Sequence, residues 1–443
     1  MMRLHHKGRI LIAGTAAALT AAVLTLGGAF RAGGAAAAPD RLPTGVAEEL
    51  QRGFAAGDTE AEIAGLQGEL RLQPRNVKAL ETLGLAYLQR VRETGDASFY
   101  PKADGILHEA LAVQPHDLIA TAGLGQLALA RHQFRRALAL GLRARSISPP
   151  TAGVYGVIGD AQIELGHYAQ AFAAFNRMTA LKPSVASYAR ISYARELLGD
   201  TTGAARAMEL ASSAAVGERE AYAWTRVQLG LLQLSTGDAP AAARSMREAL
   251  SSFPGYPLAL DGLAQSEAAL GHLGGARTLE TQAVARVPLP QYVALLGDLD
   301  GALGDRTAAA KEYALIGVIE RLLAANGVRN DLDIALFDAD HGRAPAKTVL
   351  LARKGYAERP SIVGDDVLGW ALARAGRCTE ALPYATRALR LGTKDALKIF
   401  HRGYVAACLG RTTEARRYYR RALAINPHFS ILWAPVARKG LSS

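Results

Sequence analysis

The hydrophobic positions of the chain repeat in a pattern that predicts paired helices. In the segment GDAQIELGHYAQAFAAFNRMTALKP, which ends at Pro183, Ala171, Phe175 and Met178 are spaced four and three residues apart. That spacing places them on one face of a helix. Gly166 and Pro183 stand where the two helices of a pair would end. The segment also holds Asp, Glu, His and Asn side chains, so the first question is whether it is catalytic or one unit of a scaffold.

The same pattern recurs at intervals of about 34 residues. Pro149 and Pro183 are 34 residues apart, and so are Pro254 and Pro288. Successive turn glycines are separated by 33, 38, 34, 33, 38, 34 and 34 residues. These glycines are Gly166, Gly199, Gly237, Gly271, Gly304, Gly342, Gly376 and Gly410. Self-similarity at such a period is the signature of a solenoid, and about ten units cover roughly residues 76–429.

The units resemble the tetratricopeptide repeat. Ile158 and Gly159 fill the L-G positions of that repeat, Ala171 and Phe175 its A-x3-F positions, and Pro183 its closing proline. The aromatic position that opens the repeat is mostly not aromatic in this chain. The resemblance implies an all-α fold, an α-solenoid of antiparallel helix pairs that forms a superhelix of about ten repeats. It also identifies the segment above as one packing unit of that array.

The array has predicted caps and one predicted bend. Residues 40–75 are expected to form N-terminal capping helices, and the helical spacing over 60–72 ends at Pro74. Residues 430–443 are expected to form the C-terminal cap of the array, which spans 76–429. The second helix of the seventh unit is unusually long, so the array is expected to bend near 326–330.

The N-terminus has the composition of an export segment. Arg3, Lys7 and Arg9 precede an uncharged run from Ile10 to Phe30, and small residues follow from 33 to 40. This order is typical of a signal peptide, while a run of 21 uncharged residues is also long enough to span a bilayer. Residues 1–38 are therefore predicted to be a signal peptide or an N-terminal membrane anchor. Both place the array outside the cytoplasm, in a secreted or membrane-anchored protein.

Charge does not point to nucleic acid. The net charge of the chain is +11, and residues 1–38 contain four basic residues and no acidic one. The remainder therefore has 47 basic and 40 acidic residues, a net charge of +7. Because the arginines are spread along the chain, a solvated surface explains them better than a nucleic-acid site.

No motif predicts catalysis, a metal or a cofactor. No two histidines have the H-E-x-x-H spacing of a zinc site. The acidic segment DLDIALFDADHG lacks the glycine placement and the closing Glu of a calcium loop. The segment GVYGVIG lies inside a predicted repeat helix and has no following Lys-Ser/Thr, so it is not a phosphate-binding loop.

The resemblance also implies where a partner would bind. The first helix of each repeat lines an extended concave groove, and the residues between its packing positions face that groove. These positions are more often acidic than basic, which predicts protein partners with basic or neutral peptide segments. Trp370 and Tyr404 are either aromatic anchors for a partner or core aromatics of imperfect repeats. The predicted groove residues are Asp160, Glu164, Arg190, Tyr193, Gln228, Asp261, Asp298, Asp366, Trp370, Arg374, His401 and Tyr404.

The two cysteines form a candidate disulfide. Cys378 is expected near the start of a second helix and Cys408 near the end of the next unit's first helix, so both lie at the turn end of the stack. An oxidising compartment would permit a bridge between the two terminal repeats.

Together these features predict a non-enzymatic protein–protein interaction scaffold that is exported across, or anchored at, the cytoplasmic membrane. A membrane-anchored accessory protein for cell-envelope assembly or transport is one alternative. A cytosolic regulatory repeat protein, whose N-terminus is not an export segment, is the other.

Overall fold

The computed structural model describes residues 59–442, which form 22 helices in that part of the chain. In chain order they are α1 (Thr59–Leu72), α2 (Val77–Thr94), α3 (Phe99–Val113), α4 (Leu118–Ala130), α5 (Phe134–Ile147), α6 (Ala152–Glu164), α7 (Tyr168–Leu181), α8 (Val185–Leu197), α9 (Thr201–Ala214), α10 (Arg219–Ser235), α11 (Ala239–Ser252), α12 (Pro257–Ala269), α13 (Leu273–Arg286), α14 (Pro290–Leu303), α15 (Arg306–Ala325), α16 (Asp331–Asp340), α17 (Pro345–Glu358), α18 (Ile362–Arg374), α19 (Cys378–Arg387), α20 (Ala396–Cys408), α21 (Thr412–Ile425) and α22 (Ala434–Ser442).

The helices form a solenoid of consecutive pairs. Helices α2 to α21 make ten pairs, with α1 before them and α22 after them. Successive pairs pack against each other along the array, least closely between α15 and α16, and the predicted all-α solenoid is confirmed. The predicted export or anchor segment, residues 1–38, lies outside the described residues. Within residues 59–442, no helix is both long and apolar enough to cross a membrane.

Small and large residues alternate at the contacts within each pair. Gly159 of α6 faces the ring of Phe175 on α7, and a Cβ at Gly159 would collide with that ring. Phe175 and Ala171 are fully buried, and Met178 is nearly so. The missing side chain thus lets the two helices approach closely enough to bury a phenyl ring between them. The segment GDAQIELGHYAQAFAAFNRMTALKP is therefore a packing unit of the solenoid.

Two superhelical turns of the solenoid contact each other along what we call the interturn seam. Residues 192 to 197 positions apart in the sequence meet there. The Ile362 amide donates to the Tyr168 hydroxyl over 2.7 Å, and the Asn426 side chain donates to the Leu234 carbonyl over 2.9 Å. One full turn of the superhelix therefore takes about 194 residues, and the second turn lies directly against the first.

A buried ion pair lies at the middle of the seam. Arg359 donates from Nε and Nη2 to the carboxylate of Glu164, with 3.1 Å between Nη2 and Oε1. Both side chains are buried, and the guanidinium lies 5.7 Å from the centre of the Phe134 ring. Gly166 is next to this pair, where its φ of 77° and the nearby Pro360 carbonyl both favour glycine. Because each charge is removed from water, each depends on the other.

The irregular segment at 326–330 also forms hydrogen bonds across the seam. Here α15 ends, and α15 and α16 contact each other less than other successive helices of the array do. The Arg329 amide donates to the Arg131 carbonyl over 3.2 Å, and His132 Nδ1 donates to the Arg329 carbonyl over 2.9 Å. The place where the sequence predicts a bend is thus attached to the first turn.

The last repeats are joined by a disulfide between Cys378 and Cys408. Cys378 is the first residue of α19 and Cys408 the last of α20, and their Cα atoms are 6.2 Å apart. Both lie at the turn end of the stack, and the bond ties one repeat to the next.

We predict that breaking the seam's ion pair costs more than removing an exposed pair from the same seam. Glu164→Ala and Arg359→Ala should each lower the free energy of unfolding by about 3–5 kcal/mol, because each leaves a buried charge without its partner. The double variant Glu164→Met/Arg359→Met should recover most of the loss. Urea unfolding followed by circular dichroism measures both effects.

Arg135→Ala is the matched control for the seam. Arg135 pairs with Glu358 across the same seam, but its side chain is exposed, so its loss should cost less than about 1 kcal/mol. If Arg135→Ala and Arg359→Ala lowered the free energy of unfolding equally, the buried pair would not stabilise the seam more than the exposed pair, and the prediction would be wrong.

Candidate binding surface

The inner side of the superhelix contains a cavity of about 700 Å³. Its walls come from both turns. The first residues of α8, α10, α12 and α14 form one side, and the α2–α3 and α4–α5 turns form another. Helices α15 and α16 complete it, together with residues 430–432 of the C-terminal segment. The size is that of a ligand pocket, and the cavity exists because the two turns meet.

Most of the cavity lining is apolar. Trp224, Leu295, Leu323 and Phe337 contribute large side chains to it, and Ile431 approaches from the C-terminal segment. The starts of the first helices also supply several prolines and small residues to the lining. Such a surface binds apolar groups by removing them from water.

Charged groups interrupt the apolar lining, and most of them are acidic. Seven carboxylates line the cavity, against three Lys or Arg side chains and two histidines. The carboxylates are Glu164, Glu218, Glu220, Asp298, Glu320, Asp333 and Asp340. The basic residues are Arg92, Lys182 and Arg359, and the histidines are His132 and His341. The lining therefore contains more acidic than basic side chains.

Four of the carboxylates lie at the end of the cavity formed by α14, α15 and α16. Asp298 Oδ1 accepts hydrogen bonds from the Tyr313 hydroxyl over 2.6 Å and from His341 Nε2 over 2.8 Å. Burial alone would lower the pKa of His341, but the hydrogen bond to Asp298 raises it. Burial and the nearby Asp338 raise the pKa of Glu320 to about 7. The remaining two carboxylates, Asp333 and Asp340, are half-buried on α16.

The structure divides the predicted groove residues into three sets. Glu164 and Asp298 line the large cavity. Tyr193 and Gln228 line a second hollow of about 80 Å³ between the turns. The remaining eight lie between successive repeats or in the C-terminal core, and they are Asp160, Arg190, Asp261, Asp366, Trp370, Arg374, His401 and Tyr404.

Several of these polar residues pair inside the array and do not face the groove. Arg190 donates from Nε and Nη2 to Asp160 over 2.9 and 2.6 Å, and both side chains are buried. His401 Nδ1 donates to Asp366 over 3.0 Å, and His401 is fully buried. Their spacing in the sequence predicts that they face the groove. However, neighbouring first helices pack so closely that these side chains form hydrogen bonds with one another.

Trp370 is a core residue and not an exposed anchor. Its exposed fraction is 0%, and its ring stacks on His401 with centroids 4.1 Å apart. Its Nε1 donates to Asp340 Oδ1 over 2.8 Å, and so does Nε1 of Trp433 over 2.7 Å. Tyr404 is half-buried and lies 5.0 Å from Trp370, edge to face. The anchor interpretation of Trp370 is therefore wrong, because the C-terminal segment covers its ring.

Arg374 also belongs to this cluster. Its Nε donates to the Ala339 carbonyl over 2.9 Å, and its guanidinium lies 4.8 Å from the Trp433 ring centre. Its Nη1 donates to the Tyr404 hydroxyl over 3.3 Å. The cation is thus used to hold the C-terminal segment against the array.

Asp261 faces a second buried carboxylate instead of the groove. Asp261 on α12 and Glu280 on α13 are 3% and 0% exposed. Gln265 donates to Asp261 over 2.9 Å, while no hydrogen-bond donor among residues 59–442 satisfies either oxygen of Glu280. Burial raises the pKa of Asp261 to about 7, and burial together with the Asp261 charge raises that of Glu280 well above its ordinary value. The pair therefore retains a proton in neutral solution.

Family comparisons identify the helix pairs. A family model described as tetratricopeptide repeat matches residues 227–289 and 367–428, and a second model of the same description matches residues 152–184. These segments are α10–α13, α18–α21 and α6–α7. The helix pairs within these segments therefore match the tetratricopeptide repeat. No curated protein matches the chain.

Several solved structures are similar to this chain at low sequence identity. The APC/C hetero-tetramer Cut9–Hcn1 is 15% identical over 90% of this chain and 86% of the solved one, with a TM-score of 0.38. A human IFIT1 dimer with PPP-AAAA is 14% identical over 83% and 87%, with a TM-score of 0.44. YrrB, a tetratricopeptide protein with an unusual peptide-binding site, is 17% identical over 41% and 92%, with a TM-score of 0.28.

We predict that Glu280→Gln stabilises the protein above neutral pH. The unfolded chain releases both protons near pH 4, whereas in the folded protein burial raises the pKa of Asp261 to about 7 and raises that of Glu280 well above its ordinary value. The folded state therefore binds more protons over that range, and wild-type stability falls as the pH rises through it. The variant removes one buried acid and should gain on the order of 1–3 kcal/mol at pH 8, with a smaller difference at pH 5.

Urea unfolding of wild type and variant at pH 5 and pH 8 tests this prediction. Glu209→Gln serves as the control, because Glu209 is exposed on α9 and should show no such dependence on pH. A Glu280→Gln variant that is less stable than wild type at pH 8 would contradict the buried proton-sharing pair.

Proposed function

We propose that this protein is a non-enzymatic scaffold that binds segments of partner proteins on the inner surface of its tetratricopeptide-repeat superhelix. The cavity of about 700 Å³ with an apolar lining carries the proposal. A largely apolar concavity with a few placed polar groups is the usual form of a binding site. No catalytic step is proposed. Within residues 59–442, no group of three or more His, Cys, Asp or Glu side chains is placed to hold a metal.

The partner segments are basic or neutral in this proposal. Seven carboxylates against three Lys or Arg side chains line the cavity, and like charges across an interface are strongly unfavourable. Arg359 is already neutralised by Glu164. An acidic segment would therefore meet an acidic surface, whereas a basic one would be attracted to it.

The scaffold is proposed to act outside the cytoplasm. The N-terminal sequence supports this location through its basic end, its uncharged run and its small residues. The disulfide between Cys378 and Cys408 supports it independently, because such bonds persist in oxidising compartments. In one version, a retained anchor holds the array at the membrane as an accessory to envelope assembly or transport. In the other, the array is secreted.

We predict that an arginine introduced at the cavity wall abolishes the binding of partner proteins. Val216 lines the cavity and is 79% exposed, so Val216→Arg should fold normally and add a competing cation. Leu72→Arg is the matched control, since Leu72 is 85% exposed on α1 and does not line the cavity. Capture from cross-linked cell-envelope extract with each full-length bait, followed by identification of the proteins, should show at least about tenfold loss with Val216→Arg alone. If the wild-type bait captured no protein, the scaffold proposal would be contradicted. Equal capture by both variants would mean that the binding site lies outside the cavity.

We further predict that export controls the disulfide. In cells lysed into an alkylating reagent, the full-length protein should have no free thiol, since both cysteines are in the bond. A variant that lacks residues 1–38 should remain in the reducing cytosol and have two alkylated cysteines. Mass spectrometry of the intact protein counts the alkyl groups. Two alkylated cysteines in the full-length protein would favour the cytosolic alternative.

A further inference from the structure

The last helices of the solenoid carry positive charge without nearby acids in the sequence. Residues 415–443 contain six Lys or Arg residues and no Asp or Glu, whereas the whole chain has 40 acidic residues against 51 basic ones. Glu414 is the last acid of the chain, and it is already paired with Arg402 and Arg411. The C-terminal end of the solenoid therefore has a local excess of cations.

Three of these cations share the outer face of α21. Arg417, Arg420 and Arg421 are spaced three and four residues apart from the first of them, which places them on one face of the helix. All three side chains are exposed, whereas the opposite side of the helix is buried at Tyr419 and Ala422. None of the three lines the cavity. We call these three arginines the basic face.

The basic face differs from the arginines of the preceding repeats because it lacks carboxylate partners. On α17, Arg353 donates to Glu380 over 3.1 Å, although the arginine side chain is 43% exposed. Among residues 59–442, Arg420 and Arg421 form no ion pair. The charges of the basic face are therefore not neutralised by the array that carries them.

The three charges are also close enough to repel one another. Arg417 and Arg421 are four residues apart, and Arg420 lies between them in sequence on the same face. Like charges at this spacing destabilise a helix. An anionic surface laid across the face would relieve this repulsion, because it would bring negative charge to all three guanidinium groups at once.

We propose that the basic face docks the protein onto a membrane surface that contains anionic phospholipids. The partner is a surface because the three arginines lie on the outer side of one helix and line neither hollow of the molecule described above. Guanidinium groups form paired hydrogen bonds with phosphate oxygens, and clustered basic residues strengthen binding to an anionic leaflet. Docking through this face leaves the cavity to partner proteins.

A lipid surface is favoured over a nucleic acid by the side chains around the basic face. The Tyr418 ring lies between two cations, with the guanidiniums of Arg402 and Arg417 at 4.9 and 5.4 Å from its centre. The ring is thus engaged within the protein and is not free to stack on a base. On α22, which packs against α21, Val436 is 38% exposed. An exposed aliphatic side chain on a helix next to cations suits the boundary between headgroups and acyl chains.

Vesicle co-sedimentation of the full-length protein tests the proposal. Vesicles of phosphatidylcholine alone are compared with vesicles that also contain anionic phosphatidylglycerol. We expect binding to the anionic vesicles to be at least about tenfold tighter, with a difference that shrinks as salt is added, because salt screens exposed charges. Binding to phosphatidylcholine measures any contribution of the uncharged run from Ile10 to Phe30.

Matched triple variants locate the binding. Arg417→Gln/Arg420→Gln/Arg421→Gln should lower the affinity for anionic vesicles at least about tenfold and should leave binding to phosphatidylcholine unchanged. The control removes three exposed arginines from α5 and should change little. It is Arg136→Gln/Arg143→Gln/Arg145→Gln. Since both variants lose three positive charges, the comparison separates the position of the charge from the net charge. Circular dichroism confirms that each variant has wild-type helix content.

An environment-sensitive dye tests whether α21 itself contacts the lipid. Ala424 is exposed one turn after the basic face, so a dye on Ala424→Cys should shift its emission to the blue with anionic vesicles only. Thr281 is exposed on α13, and a dye on Thr281→Cys should show no shift. The two native cysteines are in the disulfide and do not take up the dye.

Several outcomes would overturn the docking proposal. They are equal binding to the two kinds of vesicle, an equal loss with the two triple variants, and a dye shift at Thr281→Cys without one at Ala424→Cys. If the basic-face variant lost binding to a single-stranded RNA but kept its binding to vesicles, the face would serve nucleic acid and the proposal would be wrong. The capture experiment with Val216→Arg remains independent of these results, because Val216 lies at the cavity and the basic face does not.

Discussion

The contact between the two superhelical turns is the constraint on which the rest of the structure depends. Glu164 and Arg359 are 195 residues apart in sequence, yet they pair in the interior of the seam. Because two charges out of water are tolerated only as a well-formed pair, the seam has one register. That register turns the open concave side of the helical array into a cavity with walls from both turns. The cavity is thus a product of long-range closure and not of any single repeat.

Closure also decides which polar residues are left for a partner. The first helices carry many acids, but Asp160 and Asp366 are paired with Arg190 and His401 between successive repeats. The seam uses Glu164, and the C-terminal cluster uses Asp340, Arg374 and the two indoles beside them. Glu320 on α15 and Asp333 on α16 remain in the cavity lining.

Local pattern was enough to predict the repeats and not enough to predict the site. The spacing of Ala171, Phe175 and Pro183 predicts a helix pair because packing within a pair involves neighbours in sequence, and the ten pairs follow. Which face of a first helix is free depends on contacts 192 to 197 residues away, which leave no local signal. Trp370 illustrates the difference. The repeat pattern predicts its position on a first helix, but its burial depends on Trp433, which lies beyond the last repeat. Glu164 and Asp298, which the spacing also predicts to face the groove, line the cavity.

The closed register can be measured directly as a distance across the seam. Leu198 and Lys394 are exposed and lie on opposite sides of it, near the contact of Gly199 with Gly392. Since both native cysteines are in the disulfide, spin labels on introduced cysteines at 198 and 394 would report only this pair. Double electron–electron resonance should give one narrow, short distance in the full-length protein. A broad distribution at long distance would mean that the superhelix is open, and the enclosed cavity would not exist in solution.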